Sequence, residues 1–245
     1  MNDWDMQPAK DLHLTGIERS RSYVREAGLS ESLIRWCWLC GLRNWFCRWN
    51  GLKIEGLENL PSEPPYVLIA NHASHLDALV MASIVPRQHR DRMFALAAAD
   101  VFFENPLTAA FAASVVNALP VWRKGNQQVG LKQMRERLQD EKSIYILFPE
   151  GARTRDGNLL PFKPGIGMLL AETGTPILPC YLNGTFESLP AHQKFPSRHP
   201  ITVTVGQSID SKQFQNRKAG WVELANTLKE TIQEMSGKPA PEGLG

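Results

Sequence analysis

The run YVLIANHASHLD at residues 66–77 joins five apolar positions to a polar turn that carries His72 and, five positions later, Asp77. A short apolar run bounded by turn residues reads as a strand buried on both faces. The polar groups after it therefore hang on a strand end. In a continuous helix, positions five apart point about 140° away from each other. His72 and Asp77 meet only if the histidine sits on the turn and the aspartate in the first turn of a following helix. A plainer reading stands beside this one. Ser74 followed by Asp77 fits a capping box, S-x-x-D, which starts a helix at that point and leaves His72 an ordinary loop residue. His75 is a rival imidazole expected on a different face.

Outward from this stretch, β-like runs alternate with helix-like ones. MFALA (93–97), SIYILF (143–148), PILPCYL (176–182) and ITVTV (201–205) read as strands. Between them LDALVMASIV and VGLKQMRERLQD have helical composition, the second with Val129, Leu131, Met134 and Leu138 near helical spacing. Such alternation predicts an α/β fold with a mostly parallel central sheet flanked by helices. In such sheets ligands bind beyond the carboxyl ends of the strands. NHASHLD, FPEGARTRDG (148–157) and NGTFE all follow predicted strands, and NALPVWRKG brings Arg123 and Lys124. FPEGARTRDG exposes Glu150 after a proline bend and supplies Gly151, Arg153 and Arg155. It reads either as a phosphate-binding turn of backbone N–H groups and guanidinium forks or as a solvated surface turn. The order G-x-x-x-x-G-K-[ST] of a nucleotide loop is absent. Lys163, before a glycine-opened helix, adds an unspecific anion site.

The chain has 245 residues, 43% hydrophobic and 21% charged, with a net charge of +2. That suits one domain with a real core and is too weak a field to argue for nucleic acid. The N-terminal MNDWDMQPAKDLHL lacks signal-peptide order, so a cytoplasmic placement is expected. Cys37 and Cys40 form a lone C-x-x-C with no second pair or nearby histidines, so they read as small buried residues rather than a metal or redox site. Around them, Leu33 to Trp49 is apolar on nearly every side; Ile34, Trp38, Leu42, Trp45 and Trp49 share one helical face. Arg35, Arg43 and Arg48 keep the run short of the roughly 20 apolar residues of a membrane span. Tryptophan among arginines suits a bilayer interface; burial of the helix against the main domain is the alternative. The expected division is an N-terminal helical, membrane-interfacial segment (1–51), a main domain (52–236) and a Gly/Pro-rich disordered tail (237–245).

Four blocks in order carry a resemblance: NHASHLD to N-H-x-S-x-x-D, LPVWR (119–123) to a proline-led strand ending in arginine, FPEGART to F-P-E-G-T-R, and PILPCYLNGT to a proline-containing block. On them the chain resembles the glycerophospholipid acyltransferases, the lysophosphatidic acid acyltransferase group of the glycerol-phosphate acyltransferase superfamily, over roughly residues 52–210. The resemblance implies acyl transfer from acyl-CoA or acyl carrier protein to the free hydroxyl of lysophosphatidic acid, giving phosphatidic acid. The donor is an activated thioester, so no enzyme nucleophile is needed. His72 would be the general base and Asp77 its orienting partner. Asn71 and N–H groups of the turn would face the oxyanion, Glu150 and Gly151 would position the acceptor, and Arg123 and Arg153, aided by Lys163, would hold its phosphate. No cofactor or metal is implied. The implied partners are the two substrates, a membrane surface at its cytoplasmic face, held peripherally or monotopically, and acyl carrier protein as one of the two donor carriers. Two departures bear on the acceptor: Ala152 replaces the usual threonine, and Trp122 stands before Arg123 where a small polar or acidic residue is common. Another lysolipid or alcohol acceptor, such as a lyso-aminolipid or glycolipid, and a non-catalytic lipid-binding protein are the alternatives.

Overall fold

The computed structural model describes residues 28–99, 115–121 and 127–238 without interruption, and also residues 11, 13–15, 18, 19, 22, 25, 26, 105, 109, 112 and 113. The tail beyond Lys238 and the block around Arg123 lie outside the described residues. In chain order the elements are α1 (Leu29–Trp49), β1 (Lys53–Glu55), β2 (Tyr66–Ala70), α2 (Asp77–Ile84), β3 (Met93–Ala98), β4 (Leu119–Val121), α3 (Gln127–Asp140), β5 (Ile144–Leu147), α4 (Gly165–Leu170), β6 (Pro176–Asn183), α5 (Thr185–Ser188), β7 (Thr202–Val205), β8 (Ile209–Asp210) and α6 (Lys218–Ser236).

The strands form one sheet in the order β1-β7-β6-β2-β5-β3-β4, with β8 beside β6. Strands β6, β2, β5 and β3 run parallel side by side, Ala70 facing Cys180 and Ile69 facing Leu147 across β2. β7 pairs antiparallel with β6. Parallel return needs a crossover of a dozen or more residues, usually a helix; between β6 and β7 the only described helix is the four-residue α5. The mostly parallel sheet flanked by helices is as expected, and three short strands, β1, β4 and β8, join the apolar runs read from sequence. β4 was legible only through the resemblance.

Alternation along the strands divides the interior in two. Tyr66, Leu68 and Ala70 of β2 pack with α1 and α2, whereas Val67 and Ile69 pack with α3, α4 and α6. All five are fully buried, which is why β2 reads as an unbroken apolar run. The central strand thus ends at the edge between the two helical layers, and the His72 turn begins there.

Helix α1 packs one side against the domain, as the burial alternative expects, and leaves its other side exposed. Arg35, Leu39 and Phe46 are buried, and Leu42 and Trp45 lie half-buried against the core. Leu33, Ile34, Trp36, Trp38 and Trp49 stay exposed, Leu33 at 63% and Trp38 at 42%. The expected boundary at residues 51–52 falls between α1 and β1. Cys180 is buried, but Cys37 and Cys47 are exposed and Cys40 is half-buried. The reading of the C-x-x-C pair as buried filler is thereby corrected: a three-residue step turns Cys37 away from the packed side of α1.

Leu68 touches both neighbours in the sheet centre and the α1–α2 layer. Leu68→Ala is expected to lower unfolding free energy by about 2–5 kcal/mol in urea; a loss below ~1 kcal/mol would show that this layer is loosely packed.

Candidate active site

The three adjacent parallel strands β6, β2 and β5 end at one edge, and the polar loops converge there. β2 releases residues 71–76, after which α2 starts at Asp77. His72 therefore sits on the turn and Asp77 at the first helical position, the one arrangement in which five-apart residues meet. His72 Nδ1 lies 2.8 Å from Asp77 Oδ2. The same oxygen accepts the N–H groups of Ala73 and Ser74, each at 2.7 Å. An ionised carboxylate only accepts, so the proton between the two side chains belongs to Nδ1. A neutral ring then carries its lone pair on Nε2, which has no partner among the described residues. Asp77 is fully buried while the His72 side chain keeps 22% of its surface. The other carboxylate oxygen, Oδ1, is buried without a hydrogen-bond partner. A charge held in so dry a place interacts strongly with any positive charge on the imidazole.

Only half of the capping box forms. The Asp77 carboxylate returns to the Ser74 N–H, but the Ser74 hydroxyl donates to Leu189 O at 2.7 Å and no side chain caps α2. Ser74 thus ties the turn to the chain leaving β6.

The FPEG turn after β5 closes over His72. The Phe148 ring stacks on the imidazole at 4.4 Å and 23°. Glu150 Oε1 accepts the His72 N–H at 2.7 Å, and Oε2 accepts the Leu160 N–H at 2.9 Å. The Thr154 N–H donates to His72 O at 2.9 Å. Glu150 is buried, so both oxygens of this carboxylate serve the protein's own backbone. Phe148 and Thr154 were not singled out in the sequence; Phe148 stood in plain view as the first letter of its block.

Other expected site residues are placed as follows. The Asn71 amide continues the β2–β6 ladder: Nδ2 donates to Leu182 O at 3.0 Å and Oδ1 accepts the Leu182 N–H at 2.7 Å. Gly151 has φ +68°, and a Cβ there would stand 2.6 Å from Lys163 Nζ, so the lysine lies directly over the glycine backbone. Arg153 Nη1 meets His75 Nε2, bringing the guanidinium onto the His72 turn. Burial first, then the charges of Arg153 and His72, hold the His75 imidazole below its ordinary value. Arg123 lies outside the described residues. The N–H groups of His72, Ala73 and Ser74, expected near the oxyanion, are all engaged in holding the turn. Among the described residues no cluster of three or more His, Cys, Asp or Glu is arranged to hold a metal ion.

Burial raises the Glu150 carboxyl to about 7 from its ordinary 4.5, helped by the nearby charge of Asp77 and opposed by its two N–H bonds. The folded value is the higher one, so the native state holds this proton more tightly than the unfolded chain. The stability it adds is complete below pH 4.5 and is lost as pH rises through about 7. Relative to Glu150→Gln, whose amide does not titrate, the unaltered protein is expected to lose about 3 kcal/mol of urea-unfolding free energy across that window. Parallel curves for the two proteins would contradict the assignment.

Comparisons with known proteins agree with this geometry. The acyltransferase family model matches residues 51–183, which contain every described site residue named above except Leu189. The chloroplastic 1-acyl-sn-glycerol-3-phosphate acyltransferase of Brassica napus is 34% identical over 140 residues, 56% of this chain and 38% of its own. The human beta 1-acyl-sn-glycerol-3-phosphate acyltransferase is 26% identical over 171 residues, 67% of this chain and 60% of its own. This chain thus spans less than two thirds of the length of either relative. The crystal structure of the 1-acyl-sn-glycerophosphate acyltransferase of Thermotoga maritima has the same fold, with a TM-score of 0.61 over 82% of this chain and 81% of that one, at 22% identity. The chain belongs to the acyltransferase family.

Proposed function

We propose that this protein moves a fatty acyl group from a thioester of coenzyme A or acyl carrier protein to the free hydroxyl of lysophosphatidic acid, giving phosphatidic acid. The observation that carries the reading is the His72–Asp77 pair, with Nδ1 bound to the carboxylate and Nε2 without a partner among the described residues; Arg153 reaches His75 on the same turn. The names of the relatives support the acceptor.

In the proposed reaction His72 Nε2 takes the proton of the acceptor hydroxyl as its oxygen attacks the thioester carbonyl. The C–O bond forms, the C–S bond breaks, and the imidazolium returns the proton to the departing thiolate. Asp77 fixes the tautomer and stabilises the imidazolium. Phe148 stacking and the Glu150 bond to the His72 backbone hold ring and main chain in register with the attacking oxygen. Arg153 and Lys163 are the described cations that would receive the phosphate, Arg153 by a planar fork. The scheme calls on no cofactor beyond the acyl donor.

Both lipids reside in a bilayer, and we place the protein on its cytoplasmic face. Exposed Leu33, Ile34, Trp36, Trp38 and Trp49 of α1 supply an apolar, tryptophan-rich face of the kind that lies in the headgroup region. Among the described residues no helix is long and apolar enough to cross a membrane. The exposed Ala152 beside Arg153 favours, as a second reading, an acceptor whose phosphate is held less tightly, such as another lysolipid.

His72→Ala is expected to lower kcat for thioester-dependent transfer by at least 10²–10⁴-fold with an unchanged circular dichroism spectrum; full turnover would eliminate the mechanism. Arg153→Ala should raise KM for lysophosphatidic acid about tenfold or more with little change in kcat. Unchanged kinetics would refute the phosphate assignment, and mass spectrometry of products from mixed lysolipids with both donors identifies the true acceptor.

A further inference from the structure

Residues 189–199, between α5 and β7, form a loop that carries Phe195 at 83% exposure, far more open than any other large apolar side chain described. Loops seldom hold an aromatic ring in water unless it has little else to do or something to meet, and three features point to the second. The loop is closed at its base: the Ser197 N–H donates to Ser188 O at 2.7 Å, and the Ser197 hydroxyl donates to Glu187 O at 2.9 Å. Gly184, with φ +85°, lets the Pro200 carbonyl approach to within 1.9 Å of where a Cβ would stand. The ring is thus carried on a fastened loop.

The second feature is where the loop is fastened. At its start Leu189 O accepts the Ser74 hydroxyl of the His72 turn. At its end His199 O accepts Asn50 Nδ2 at 2.9 Å, and the Ile201 N–H donates to Asn50 O at 3.1 Å. Asn50 directly follows exposed Trp49 at the end of α1. The loop therefore bridges the catalytic turn and the apolar helix through direct hydrogen bonds.

The third is charge. From Ser188 to Ile209 the chain has no aspartate or glutamate, while Lys194 and Arg198 flank Phe195. Both are exposed, and neither has an ion-pair partner among the described residues. An aromatic ring between two unpaired cations matches the headgroup region of an anionic bilayer, where the ring enters the interface and the cations meet phosphate.

We propose that the Phe195 loop is a second lipid-contacting element which, with α1, orients the His72 site toward a bilayer containing anionic lipid. This inference rests on the membrane-facing reading of α1 given above. It is tested by cosedimentation of the full chain with vesicles of phosphatidylcholine alone and of phosphatidylcholine mixed equally with phosphatidylglycerol. Phe195→Ser is expected to lower partitioning onto the mixed vesicles about tenfold. The double variant Lys194→Gln, Arg198→Gln should remove most of the preference for mixed over neutral vesicles. All three positions are exposed, so thermal midpoints should be unchanged, and so should transfer to a short-chain acceptor kept below its micellar concentration. Wild-type partitioning by Phe195→Ser overturns the proposal. So does an equal loss with the short-chain acceptor, which would put Phe195 in the active site, or a defect confined to the carrier-protein donor, which would make the loop a carrier dock. Partitioning is measured without turnover, so a chain that acylates a different acceptor leaves this result standing. Failure of the unaltered protein to bind either vesicle removes the loop and α1 contacts together.

Discussion

Asp77 Oδ2 gathers three donors at the end of the central strand: the imidazole Nδ1 and the N–H groups of Ala73 and Ser74. The two backbone bonds fold the turn back on the first residue of α2, and that fold brings the ring within reach. Remove the carboxylate and the turn loses its shape as well as its partner for the imidazole. Packing supplies the remaining constraint. β2 is buried on both faces, so its last residue cannot shift, and α2 is pressed into the same core through Val80, Met81 and Ile84.

Around this pair the loops from β5 and β6 act mainly on the protein itself. Glu150 and Thr154 hold the His72 backbone from the β5 side, and Asn71 and Ser74 hold the turn from the β6 side. Polar residues of the family's blocks are therefore spent in good part on fixing one imidazole to within hydrogen-bond tolerance. Among the described residues the ring's far nitrogen has no partner, the Arg153 guanidinium reaches His75, and Lys163 lies over Gly151. In the proposed reaction the donor is already activated, and this division leaves the side chains to supply one oriented base and a place for charge.

Much of the fold was legible because the central strands are fully buried. YVLIA matched β2 residue for residue, and the runs for β3, β5, β6 and β7 lay within a residue of the observed ends. β1 and β8 escaped because two or three residues at a sheet edge carry no period to read. In the site, spacing gave the condition under which His72 and Asp77 meet but not whether it holds, since the same letters also write a capping box. The inward duties of Asn71 and Glu150 were invisible for a different reason: their partners, Leu182 and His72, are distant in sequence and act through the backbone, which leaves no side-chain signature. α1 shows the limit of a helical wheel. The stripe Ile34, Trp38, Leu42, Trp45, Trp49 is real, yet it straddles the line between core and surface, because the packed side is centred on Arg35, Leu39 and Phe46.

Everything catalytic in this account passes through the protonation pattern of one ring. Nitrogen-15 spectroscopy of imidazole-labelled protein, with His72 assigned by its loss in a His72→Ala sample, reads that pattern directly. The account predicts a neutral ring protonated at Nδ1, with Nε2 bearing the lone pair. A ring protonated at Nε2, or one averaging between the two forms as free imidazole does, would mean that the buried carboxylate does not hold it and that the base is not poised where the acceptor must arrive.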